Sequence, residues 1–153
     1  MLDRKVLGTL VAGAAIVGFG VTMAFAAADD AIKGRQGCMK SHGAEMQVMG
    51  PMFKGEKPYD AAAIKAAFDA TATACADWDK WWGADTQKGE TVETFAKPEI
   101  WTDAEGWKAA GGKFGEAYTA ITGAADEAAF RAAFPALGES CGGCHEKFRR
   151  PKG

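Results

Sequence analysis

Near the end of the chain, Cys141-Gly142-Gly143-Cys144-His145 sets two thiols three positions apart, with an imidazole directly after the second. This spacing is the attachment signature of a c-type haem. The thiols add across the haem vinyl groups, and the neighbouring imidazole is placed to ligate the iron. On a helix the three side chains fall at i, i+3 and i+4 and share one face. Phe130, Phe134, Leu137, Cys141, Cys144 and Phe148 form an apolar stripe at spacings of four, three, four, three and four. The thiols therefore lie on the core side of a terminal helix, where a flat apolar cofactor can be buried. A zinc ribbon needs a second close pair, and Cys38 and Cys75 stand alone and far apart. A thioredoxin-like dithiol needs a βαβ setting that nothing here suggests. One haem c, bound through Cys141 and Cys144 with His145 as proximal ligand, is the expected cofactor.

The opposite end of the chain reads as an export signal. Arg4 and Lys5 form a charged start, residues 6–25 are apolar, and Ala24-Phe25-Ala26 is a small-x-small cleavage site. Four glycines at 8, 13, 18 and 20 and an alanine-rich exit favour cleavage over a retained anchor. The expected cut follows Ala26, with Ala28 as the alternative. Removing 26 of 153 residues leaves residues 27–153, a single domain of 127 residues, enough to bury one core. Loss of Asp3, Arg4 and Lys5 takes 18 basic and 20 acidic residues to 16 and 19, a net charge near −3. That balance argues against a nucleic-acid partner. The expected location is the periplasm, with no membrane association after cleavage.

The mature sequence predicts four helices and no strand. The first covers about 30–49, capped by Asp29 or Asp30 and stopped by Gly50-Pro51. Ile32, Met39 and Met46 fall seven apart on it as a seam, and Gly34, Gly37 and Gly43 remove bulk that would keep a haem face at a distance. A second helix, capped by Asp60, extends to about Trp82, and Trp78, Trp81 and Trp82 read as packing at its end. Residues 83–102 form a long irregular connection pinned by Phe95, Ile100 and Trp101. The third helix starts at Thr102 or Asp103, and the fourth runs from Asp126 to about Arg149 with a bend expected at Pro135. Short links between the first and second pairs make antiparallel neighbours, and the long middle link crosses over. The fold class is an all-α antiparallel four-helix bundle, which houses cofactors between facing helices.

With its haem motif on the last helix, the chain resembles the class II cytochromes c, the cytochrome c′ family. The similar segments are Arg35-Gln36, residues 54–60, Pro98-Glu99-Ile100-Trp101 and 141–149. The resemblance implies one of two branches. One leaves the distal iron face open, is high-spin, and binds nitric oxide or carbon monoxide. The other takes a methionine from the first helix as sixth ligand and carries electrons. Met39, three residues after the Arg-Gln pair and followed by Lys40 and then Gly43, looks like the low-spin segment. The main expectation is accordingly a periplasmic electron carrier with His145 and Met39 as axial ligands. A five-coordinate gas-binding protein is the alternative, and His42 is a third option for the sixth ligand.

The resemblance also implies that Arg35 pairs with a haem propionate and that Arg149, one turn past His145, lies close to the haem. A guanidinium binds a carboxylate bidentately, so both are physically sensible. Lys147, Arg150 and Lys152 form a basic tail, placed to dock an acidic redox partner or to keep the terminus soluble. No enzyme activity is expected, and the choice between monomer and homodimer stays open. Counting outward from the first turn places Cys38 near residue 73. A disulfide to Cys75 and two buried apolar thiols both fit, the bridge requiring Cα atoms within about 7 Å.

Overall fold

A computed structural model describes residues 17–151, with side chains from Ala27 onward. Most of the expected export signal lies outside the described residues. The helices are α1 (Val17–Phe53), α2 (Ala61–Ala74), α3 (Glu99–Thr102), α4 (Ala104–Thr122) and α5 (Glu127–Phe148). Among the described residues there is no strand, only an isolated bridge between Ala96 and Arg149. α1 packs along α2 and α4 along α5, the pairing that the short links predict. No described helix is long and apolar enough to cross a membrane.

Aspartates start three of the helices. Asp60 accepts from the Ala63 amide at 3.0 Å, Asp103 from Gly106 at 2.9 Å and Asp126 from Ala129 at 2.8 Å. Each satisfies an amide that the first helical turn leaves without a partner. α1 departs from expectation by running through Gly50-Pro51 to Phe53. Its last carbonyls find donors in Arg131 of α5, which reaches Phe53 O at 2.6 Å and Met52 O at 3.2 Å. Gly55, at φ 76°, then turns the chain through the left-handed region.

α2 stops at Ala74, well short of Trp82. Past it the backbone tightens into 3₁₀ turns at Trp78–Trp81 and Ala84–Thr86, which swing the tryptophans back against α1. The middle connection is more structured than its composition suggests. It contains α3, whose Ile100 is buried, and Trp101 Nε1 donates to Trp82 O at 2.9 Å. Asp29 anchors it from α1 by accepting from the amides of Glu90 at 2.9 Å and Thr91 at 3.1 Å and from the Thr91 hydroxyl.

Two apolar clusters result, one at each end of the bundle. Met49, Met52, Ile64, Ala117, Ile121, Phe130, Phe134 and Leu137 make the core at the short-link end. At the other end Trp82 lies 4.8 Å from both Trp78 and Trp107, and Trp107 meets the buried Phe148 at 5.2 Å. The tryptophans pack there, as expected. Pro135 sits within α5 without ending it.

Candidate haem site

α5 carries Cys141, Cys144 and His145 between those clusters, all three half-buried. Burial pushes both thiols up from their ordinary range, and Cys141 adds to the effect on Cys144. Burial, helped by the Arg149 cation, pulls His145 down, so its imidazole is neutral and able to ligate. No neighbouring atom lies within 4 Å of where a Cβ would stand on Gly142 or Gly143. Arg149 is exposed and closes α5, its amide donating to His145 O at 3.0 Å. Of the basic tail, Lys147 pairs with Asp103 at 2.5 Å and Arg150 with Glu93 at 3.5 Å.

On α1 the buried stripe is Ile32, Arg35, Cys38, Glu45, Met49 and Met52. Met39 lies beside that stripe and is 39% exposed. The sequence seam of Ile32, Met39 and Met46 differs because α1 turns Cys38 toward α2, where Cys38 and Cys75 form a disulfide with Cα atoms 4.8 Å apart. The three glycines divide in role. A Cβ on Gly34 would collide with the Trp81 indole, whereas Gly37 and Gly43 face open space. Close approach to an indole, not to a haem, is what Gly34 provides.

Arg35 is 5% exposed. It donates to Trp81 O at 3.1 Å, Thr86 Oγ1 at 3.3 Å and Thr86 O at 2.7 Å. Its guanidinium stacks 4.7 Å from the centre of Trp82. Burial lowers its pKa to about 10, which leaves it a cation at neutral pH. Trp82 Nε1, beside it, is buried with no hydrogen-bond partner among the described residues. A buried donor without an acceptor normally marks a missing partner. Next to a buried cation a carboxylate would satisfy it, so a haem propionate fits this corner. The donor set of two thiols, a neutral imidazole and this cationic, donor-bearing corner fits haem c.

A second polar cluster lies behind the α1 wall. His42 Nδ1 and Glu45 Oε2 are 2.9 Å apart, the Tyr118 hydroxyl donates to Glu45 Oε1 at 2.9 Å, and His42 Nε2 lies 3.8 Å from Cys75 Sγ. The His42 ring meets Phe114 and Tyr118 edge-on. Burial and Glu45 hold the Tyr118 phenol well above its usual range. These contacts commit both ring nitrogens of His42 away from the role of sixth ligand. Sequence reasoning missed Glu45, although its place three residues after His42 on a helix is a readable pairing.

Known proteins share this arrangement. The sequence profile described as Cytochrome C′ matches residues 30–149. The chain is 36% identical over 132 residues to a cytochrome c′ of Alcaligenes xylosoxydans, covering 84% of this chain and 99% of that one. It is 35% identical over 153 residues to a cytochrome c-556 of Rhodopseudomonas palustris, covering 94% and 97%. A solved ferrous variant of the Alcaligenes xylosoxidans cytochrome c′ with bound nitric oxide superposes with a TM-score of 0.70 at 34% identity, over 82% of this chain and 97% of that one. Another variant of that protein was solved with carbon monoxide bound. The gas complexes overturn the expected electron carrier with paired His145 and Met39 ligation: variants of the Alcaligenes xylosoxidans cytochrome c′ are solved with nitric oxide and with carbon monoxide bound. Met39 stands beside the buried stripe rather than on it, so the sevenfold seam does not mark the buried face of α1.

Proposed function

Because the chain belongs to the cytochrome c′ family, we propose that it is a high-spin haem protein that binds nitric oxide or carbon monoxide. Haem c, joined through Cys141 and Cys144, supplies an iron that takes a diatomic gas in its ferrous state. The observation that carries this reading is the pair of gas complexes recorded for a relative that covers nearly its whole length with this chain.

The chain's own residues then have distinct tasks. His145 would ligate the iron through its neutral imidazole, and its backbone carbonyl accepts from the Arg149 amide. Met39 would offer the haem an apolar thioether that packs without ligating. Arg35 and the unpartnered Trp82 Nε1 hold a propionate at the tryptophan-rich end. Arg149 lies one turn past His145 and adds positive charge at the haem edge. Cleavage after Ala26 and a periplasmic location belong to the same reading. The remaining α1 keeps its anchor, since Asp29 lies beyond the cut.

The test is the optical spectrum of the holoprotein, oxidised and reduced, before and after carbon monoxide and nitric oxide. A broad high-spin Soret band that shifts with either gas is expected. Sharp low-spin bands with no response to either gas would overturn the reading.

A further inference from the structure

The cluster formed by Cys38, His42, Cys75 and Glu45 has no task in gas binding. We propose that, once the Cys38–Cys75 disulfide is reduced, Cys38, Cys75 and His42 form a site for a thiophilic divalent cation of the zinc class, with Glu45 orienting the imidazole. The two Sγ atoms and a ring nitrogen of His42 all lie within 4.8 Å of one another. Cys38 and His42 are four apart on α1 and project from one face, a spacing that zinc sites use on helices. Cys75 arrives from the C-cap of α2.

The imidazole is held as a metal ligand is held. Its Nδ1 is engaged by Glu45 Oε2 at 2.9 Å, which leaves Nε2 facing Cys75 Sγ at 3.8 Å. A carboxylate on the far nitrogen fixes the tautomer and raises the basicity of the ligating one. Glu45 is itself fixed, being 2% exposed and bonded through its other oxygen to Tyr118. Two thiolates and a divalent cation are neutral together, which suits a half-buried site. The His42 side chain is 18% exposed, so water can complete a tetrahedron.

The chemistry balances with a dithiol as reductant. The dithiol gives two electrons and two protons, the S–S bond of the protein breaks, two S–H bonds form, and the reductant becomes a disulfide. Cation binding then releases the two thiol protons to solvent. Oxidised protein has no thiolates and no site, so binding is gated by redox state.

The experiment uses the full haem-loaded protein, with its disulfide intact or reduced by a dithiol. Each form is incubated with zinc, desalted, and analysed for zinc and iron, with helix content followed by circular dichroism. The haem-linked cysteines are thioethers, so Cys38 and Cys75 are the thiols open to alkylation. About one zinc per iron is expected in the reduced protein and none in the oxidised. Zinc should also shield both thiols from iodoacetamide. His42→Gln and Cys75→Ser should abolish retention, whereas Glu45→Gln should keep the stoichiometry and weaken affinity about ten- to a hundredfold. The proposal is overturned if reduced protein retains no zinc, if oxidised protein or His42→Gln retains as much, or if reduction destroys the helices.

Discussion

Arg35 illustrates how one side chain ties the haem wall to the rest of the molecule. Its three hydrogen bonds end on the two 3₁₀ turns, and its guanidinium stacks on Trp82. Arg35→Ala would strand those buried acceptors and remove the cation from the rings, a loss of about 2–4 kcal/mol read from urea unfolding of the holoprotein. Met39→Ala tests the distal side. The ferric spectrum should stay high-spin, and carbon monoxide association measured by flash photolysis should speed up severalfold as the screen shrinks. At Asp29 the Thr91 hydroxyl, with neighbouring amides, holds the carboxyl below its ordinary 3.8. A carboxylate depressed in the folded state contributes stability above its unfolded pKa, and that contribution fades as pH falls through the folded value. Asp29→Asn should therefore be less stable at neutral pH, with the gap to the parent closing below 3.8 in acid titrations followed by circular dichroism.

At the scale of elements, the disulfide is the strongest local constraint outside the haem. It joins α1 to the end of α2 across a sequence separation of 37. Closing a loop of that size removes about 3–4 kcal/mol of unfolded-state entropy in the chain-entropy account. Cys38→Ser with Cys75→Ser should lower holoprotein stability by about that much in urea and leave the gas-bound spectrum unchanged. The helix starts were legible because each rests on one aspartate: Asp60, Asp103 and Asp126. The helix ends were less so, because tertiary partners set them. Arg131 reaches across from α5 to let α1 pass Pro51. Past Ala74 the chain tightens into 3₁₀ geometry as Trp78–Trp81 packs against α1. The haem attachment motif was fully written in the sequence. The buried face of α1 was not, because its shift by one residue, from Met39 to Cys38, depends on which side chain finds a partner on α2.

Across the whole molecule, the apolar interior is divided. One cluster fills the short-link end and a second, tryptophan-rich one fills the other. Between them Cys141, Cys144, His145 and Phe114 are only half-buried, and Met39 is exposed. A bundle of this length gains most of its stability from packing of helix faces rather than from helix propensity. Glycines at 111, 112 and 115 on α4 and at 142 and 143 on α5 weaken that propensity where the interior is least filled. Haem c thus belongs to the middle of the core as well as to the functional site. Cys141→Ala with Cys144→Ala, produced without attached haem, should keep helical circular dichroism but unfold at lower urea and over a broader range than the holoprotein. Loss of cooperativity is the telling sign, because two clusters no longer joined by a packed middle unfold with less mutual dependence. A haem-free variant with the midpoint and sharpness of the holoprotein would mean that the end clusters alone specify the fold, and that haem adds function without structure.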